Sequence, residues 1–329
     1  MKKTEIASER KIISMILKRL ELMPDMPVPF GDDVSAVDLG NRKLAVLKTD
    51  MLVDKTDVPP TMSMWQAARK AIVMSISDLA AKGVRTIALL ASLGLPRHLS
   101  TSDIIQIGKG LNAGAREYGA YILGGDTNEA SDLVISCSAF GIAEKKSLML
   151  RRGAKPGDIV AVTGSFGKTA AGLKILLESI SLHTKLRKKL VDSVLTPKAR
   201  LNEGLALAKT RAVTSSIDSS DGLAWSLHEL SRASNVGFTI DHLPMANEAE
   251  DFAKLYSVDP VQLCLYGGEE YELVVTVKPE LFEKVTKKVP LTRIGYTTAT
   301  KSLTLKMKKK QIPIEAKGWE HFKTALSRT

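Results

Sequence analysis

Six short acidic clusters are spread along the chain: Gly31-Asp32-Asp33, Thr49-Asp50, Ser77-Asp78, Gly124-Gly125-Asp126-Thr127, Asp218-Ser219-Ser220-Asp221-Gly222 and Gly268-Glu269-Glu270. Several combine a carboxylate, a small residue and a glycine. Glycine lets the backbone come close to a ligand or take positive φ. Carboxylate and hydroxyl oxygens are the hard donors that Mg2+ takes, usually one or two per ion, with water and phosphate completing the octahedron. So many carboxylates cannot converge uncompensated, because like charges at close range repel strongly. If they converge, several divalent cations and a polyphosphate are the expected partners.

Taken singly, each cluster has a plainer reading. Asp32 and Asp33 suit a turn, Asp50 an N-cap or loop, Asp78 a solvent-facing helix position, and Asp126 a tight turn after Gly-Gly. Asp221 suits the N-cap of the helix that follows it. Joint occurrence favours one site. Four of the clusters follow an expected strand, and in α/β sheets ligands bind beyond the carboxyl ends of strands.

The elements that must position these residues alternate. Residues 5–22 read as a helix with Ile6, Ile13, Ile16, Leu17 and Leu20 on one side. Strand 43–49 would deliver Asp50 at its end. Ser63 to Lys82 reads as a long helix closed by Gly83. Strand 87–93 is broken off by Pro96, helix 102–118 ends at Gly119, strand 121–123 runs into Gly124-Gly125-Asp126, and strand 133–142 follows. The segment 151–158, polar and rich in glycine and proline, is the expected linker. Beyond it come strand 159–163, a helix from Thr169, helices near 182–193 and 198–210, strand 213–217, helix 222–235, strand 273–277, a short helix over 280–289, and final strands before Trp319. An α/β (α+β) fold in two domains is expected, 1–150 and 151–329.

Thr163-Gly164-Ser165-Phe166-Gly167-Lys168-Thr169 imitates a phosphate loop. The P-loop needs glycine where this chain has Val162, so the pattern fails. A strand-to-helix turn is the expectation there, although a glycine turn at a helix N-terminus can bind an anion. There is no His-Arg-Asp, no Cys-His pair with metal spacing and no Gly-x-Ser-x-Gly elbow. Covalent chemistry on histidine or cysteine is therefore not expected.

The chain has 329 residues, 44% hydrophobic and 25% charged, as in an ordinary globular protein. No apolar run reaches the ~18 residues of a membrane span, and the N-terminus lacks an apolar signal region. Cys137 and Cys264, both in apolar surroundings, fit structural thiols in a reducing, cytoplasmic setting. The formal net charge of +11 concentrates in Lys185 to Lys189 and Lys306 to Lys310, without interleaved aromatics. These runs read as solvated faces, and neither nucleic acid nor membrane is an expected partner.

With these residues laid out, the chain resembles the thiamine-monophosphate kinase family, in the superfamily of aminoimidazole ribonucleotide synthetase and selenophosphate synthetase. All six clusters stand in that family's order, as do Thr163-Gly164 through Gly172-Leu173 and the closing Gly318-Trp319-Glu320-His321-Phe322. The resemblance implies an N-terminal αβ domain whose sheet joins a second subunit's to form a barrel in a homodimer, and a C-terminal α/β domain. It implies Mg-dependent transfer of the γ-phosphoryl group of the co-substrate ATP onto thiamine monophosphate. It places Mg2+ ions on Asp33, Thr49, Asp50, Asp78, Asp126, Asp218 and Asp221. ATP falls to Gly125, Asp126, Arg151 and Ser220, and the thiamine side to Asp57, Glu269 and Trp319. An acceptor that is already an ionised phosphate needs no strong base, in line with the missing histidine; an indole face suits a cationic thiazolium.

The chain departs from the family pattern at four positions. Lys48 stands where serine is frequent, Asp57 where a histidine commonly lies near the substrate phosphate, Ser219 in place of isoleucine or valine, and Glu270 in place of aspartate. Another ATP-using member of the superfamily, acting on a different phosphorylated or carboxylate substrate, is the alternative reading. A selenophosphate synthetase would carry a reactive cysteine near the N-terminus, and none occurs before Cys137.

Overall fold

A computed structural model describes residues 8–182, 184–307 and 310–322. The centre of the molecule is helix α3 (Met64–Ala81). Ser63 and Gln66 close its N-terminus in a reciprocal capping box, and Gly83 in the left-handed region ends it. Ala67, Ala68, Ile72, Ile76, Leu79 and Ala80 are all fully buried, so the helix is covered on every side.

Around α3 the first sheet has the order β1-β2-β5-β3-β4: β1 (Ser35–Asp38), β2 (Lys43–Val53), β3 (Thr86–Leu95), β4 (Tyr121–Glu129) and β5 (Val134–Glu144). Only β3 and β4 run parallel. Helix α4 (Thr101–Glu117), capped by Ser100 and Asp103, packs on α3. A four-residue helix, α2 (Asp54–Asp57), follows β2.

The second sheet has seven strands in the order β12-β11-β8-β10-β6-β9-β7, namely β6 (Ile159–Val162), β7 (Val213–Asp218), β8 (Gly237–Ile240), β9 (Leu273–Val277), β10 (Thr292–Thr298), β11 (Leu303–Met307) and β12 (Lys310–Pro313). Every pair is antiparallel except β8 with β11. The helices of this half are α5 (Lys168–Leu177), α6 (Thr184–Leu195), α7 (Leu201–Thr210), α8 (Leu223–Ser234), α9 (Asn247–Tyr256), α10 (Pro260–Tyr266) and α11 (Pro279–Thr286). The chain passes from one sheet to the other between Glu144 and Ile159. One apolar core runs through both halves, joining Ile72 and Leu79 of α3 to Leu207 of α7 and to Leu273 and Val275 of β9.

Several expectations need correction. The sheets are mostly antiparallel, the α+β form of the expected mixed fold, so the rule that ligands bind beyond the carboxyl ends of α/β strands does not place the site. Helix α1 covers only Glu9–Leu17 and buries nothing; Pro24 and left-handed Asp25 turn the chain soon after, and residues 5–7 lie outside the described ones. Asp50 and Asp126 lie inside long strands, not at strand ends or in turns. Strands β1 and β8 and helices α9 and α10 were not anticipated. The first two are four-residue strands and α10 has seven residues, too short for a clear period. His183, and part of the run from Lys306 to Lys310, lie outside the described residues. Among the described residues no helix is long and apolar enough to cross a membrane.

Candidate active site between the two halves

Strand alternation divides β2 into two sides. Leu44, Val46, Lys48, Asp50 and Leu52 face α3, whereas Leu47, Thr49 and Met51 face outward. Lys48 Nζ is 3.1 Å from Asp50 Oδ1 and 3.0 Å from Asp78 Oδ2 of α3. Ser77 donates its hydroxyl to Asp218 Oδ2 at the end of β7, at 2.7 Å. Carboxylate oxygens of Asp33, Asp78 and Asp218, all buried, lie within 4.8 Å of one another. The mid-helix Asp78 is thus a buried member of the site, not a solvent-facing residue.

Cations hold part of this charge. Lys82, with no exposed side-chain surface, contacts Asp32 Oδ1 and Asp33 Oδ2 at 2.7 Å each and donates to Ser216 O at 2.7 Å. Arg151 donates through Nε to Asp33 Oδ1 at 2.7 Å and through Nη1 to Gly31 O at 2.9 Å, and its backbone N–H donates to Asp32 Oδ2 at 2.9 Å. Its guanidinium also reaches Glu229 at 3.4 Å.

The carboxyl groups respond in opposite directions. Burial pushes Asp33 up, but Arg151 and Lys82 more than reverse it and hold the group below the usual range. Burial raises Asp78 well above that range against the pull of Lys48, with Asp50 and Asp218 adding to it. Burial, aided by Asp33, lifts Asp218 to about 6. Asp221 rises to about 7 through burial and the charge of Asp218. The raised groups owe their shift first to loss of water and second to one another, so a bound cation would favour their charged forms.

The turn 218–222 is held from both sides. Tyr271 N–H donates to Ser219 O at 2.9 Å and Glu269 N–H to Ser220 O at 2.5 Å, while Trp319 N–H donates to Asp221 O at 3.1 Å. A Cβ on Gly318 would stand 2.1 Å from Asp221 O, so only glycine lets this segment close on the turn. The N-cap of α8 is Gly222 (φ 109°) and Asp221 does not cap that helix, which removes the capping reading. Ser219 carries a buried hydroxyl without a hydrogen-bond partner among the described residues; nothing in the structure explains it.

Lys70 of α3 links the expected substrate residues. Its ammonium is 2.5 Å from Glu269 and donates to Asp57 O at 2.7 Å, while Asp57 Oδ2 accepts from Val53 N–H at 2.7 Å. The Asp57 carboxylate is therefore folded back onto its own turn. Trp319 makes an edge contact with His321, centroids 5.8 Å apart.

Two expected ligands stand apart. Thr49 Oγ1 accepts from Ser138 Oγ at 3.1 Å on the outward side of the sheet. Asp126 is exposed and pairs with Ser92, which pairs with Ser136, in the same outward row. The imitation phosphate loop is filled from within. Glu270, raised by burial to about 7, accepts from Thr169 N–H at 3.1 Å. Glu272 accepts from Thr163 Oγ1 and from Arg200 Nε, both at 2.7 Å. The structure supports the strand-to-helix turn. Cys137 and Cys264 are buried free thiols, Cys137 raised by burial to about 12.

Sequence reasoning missed Lys70 and Lys82. Their signal was available: Lys70 lies among apolar positions of α3 and Lys82 caps its apolar C-terminal turn, where a charge needs a buried partner.

Residues 31–143 match the N-terminal domain of AIR synthase related proteins, and residues 155–308 match the C-terminal domain. A thiamine-monophosphate kinase of Nitrosopumilus maritimus is 38% identical over 89% of this chain and 93% of its own length. The chain belongs to the thiamine-monophosphate kinase family. The Pyrococcus horikoshii member is 37% identical, over 89% of this chain and 91% of its own. The solved structure of AaThiL complexed with AMPPCP and TMP superposes with a TM-score of 0.85 at 27% identity, covering 98% of this chain and 99% of that one. Thiamine monophosphate kinase from Aquifex aeolicus gives 0.80 at 27%, covering 91% and 97%. As a member of this family the chain is a thiamine-phosphate kinase.

Proposed function

We propose that the chain moves the γ-phosphoryl group of ATP directly onto the phosphate of thiamine monophosphate, giving thiamine diphosphate and ADP, with Mg2+ as cofactor. The observation that carries this is the convergence of Asp33, Asp78 and Asp218 from three distant segments, with two of the three carboxyl groups raised. The donor set fits the ion: hard carboxylate oxygens, buried and within 4.8 Å of one another. The AMPPCP and TMP of the AaThiL complex support the two substrates.

In this reading Asp33, Asp50, Asp78, Asp218 and Asp221 hold Mg2+, and Thr49 and Asp126 serve as further ligands from the outward side. Mg2+ held by these residues would supply positive charge against the phosphate oxygens. The protein's own part is positioning. Lys82 and Arg151 fix Asp33, Ser77 fixes Asp218, and α3 with its C-cap carries Ser77, Asp78 and Lys82 together. Gly125, Asp126, Arg151 and Ser220 are assigned to ATP, Arg151 through its hold on Asp33. Glu269, oriented by Lys70, lines the thiamine side with Trp319 and Asp57. The acceptor oxygen forms the new bond to phosphorus as the bond to the ADP oxygen breaks, so no protein nucleophile is required.

We also infer a homodimer through the outward side of the first sheet. Val37 (41%), Leu47 (43%), Met51 (58%), Leu90 (50%) and Ile142 (43%) remain exposed there, an apolar face larger than single exposed residues explain.

The test is conversion of thiamine monophosphate and ATP, followed by chromatography of both products. Equal amounts of thiamine diphosphate and ADP with Mg2+, and neither in EDTA, are expected. ATP consumed while thiamine monophosphate stays unchanged would overturn the assignment.

A further inference from the structure

Lys48 sits at the acidic site. Its ammonium bridges Asp50 Oδ1 at 3.1 Å and Asp78 Oδ2 at 3.0 Å from the α3-facing side of β2. Asp78 is also one of the three carboxylates within 4.8 Å of one another. One carboxylate thus belongs both to the lysine and to the trio. A lysine ammonium is a compact point charge on a flexible stem. It neutralises two acids at about 3 Å, whereas Mg2+ binds oxygen at about 2.1 Å and carries twice the charge.

We propose that Lys48 is a tethered cation that neutralises part of the Asp50–Asp78 edge of the site, and so sets how many divalent ions these ligands bind and how tightly. The inference rests on reading Asp33, Asp78 and Asp218 as metal ligands. Without this ammonium, Asp50 and Asp78 would present their full negative charge to a divalent ion; this chain supplies one positive charge of its own. Lys82 and Arg151 act differently, because they hold Asp32 and Asp33 from inside the protein.

The experiment titrates the full-length protein with Mn2+ by electron paramagnetic resonance and with Mg2+ by calorimetry. Wild type, Lys48→Met and Lys48→Arg are compared without nucleotide; Lys48→Ser serves if Lys48→Met does not fold. Lys48→Met is expected to bind one further Mn2+ per chain, or the same number about tenfold more tightly, as removal of a close like charge implies. Its melting temperature should rise more on adding Mg2+ than that of wild type. Lys48→Arg, which keeps the charge, should behave as wild type. Unchanged number and affinity in Lys48→Met, or weaker binding, would overturn the role of Lys48 while leaving the metal site standing. Absence of Mn2+ binding in every protein would overturn the metal reading and this inference together.

Discussion

Ser77 and Asp218 stand 141 positions apart in sequence, on opposite sheets' packing elements, and share a hydrogen bond of 2.7 Å. That bond ties the central helix of the first half to the last residue of β7 in the second. The acidic site exists only where these two halves meet.

Asp221→Asn should therefore separate function from stability. Loss of one carboxylate from a metal that neutralises transferred phosphate should lower turnover on the order of a thousandfold. The variant should remain folded, because Asp221 does not cap α8. Steady-state assay and thermal melting check the two halves of this statement. Near-normal turnover with a lowered melting point would assign the turn to structure.

A pH dependence follows from the raised groups. Asp218 near 6 and Asp221 near 7 bind protons more strongly in the folded chain than in the unfolded one. Their ionisation thus opposes folding: the penalty is absent below about pH 4, grows as pH rises through the folded values, and is complete above about 7. In EDTA, Asp221→Asn should match wild type in melting temperature at pH 4 and exceed it at pH 8. A gap that shrinks with rising pH would contradict this sign.

Lys82→Met should be costly. It leaves Asp32 and Asp33 buried without their shared cation, and breaking a buried pair from one side costs about 3–5 kcal/mol. Urea unfolding measures the loss. A cost below about 1 kcal/mol would mean that Arg151 alone compensates both acids.

Gly318→Ala forces a Cβ to 2.1 Å from Asp221 O, so either the turn or the Trp319 segment must shift. With Trp319 assigned to the thiamine side, KM for thiamine monophosphate should rise about tenfold while KM for ATP changes less. Equal increases in both would place the segment outside the acceptor site.

Leu90→Glu puts a charge into the outward apolar face without touching the core, since Leu90 is half exposed. Sedimentation at micromolar concentration should show a dimer for wild type and a monomer for the variant, with unchanged far-ultraviolet circular dichroism. A wild-type monomer would remove the proposed interface.

The sequence by itself determined the elements whose signals are local. Gly83 marked the end of α3 and Gly119 the end of α4, because such stop signals act within one turn. It also determined the acidic clusters, since a motif survives without knowledge of the fold. Only the tertiary structure decided which of those residues meet. A one-residue step along β2 puts Thr49 on the opposite side from Lys48 and Asp50, and strand register has no local signature. Sheet direction likewise depends on pairings between distant segments, so the mostly antiparallel order had no local signal. Lys70, Lys82 and Arg151 found their partners through contacts up to 199 residues away, which no spacing encodes. The chemistry of the site was written in residue types; its charge balance was set by packing, which brings cation and carboxylate together where water cannot screen them.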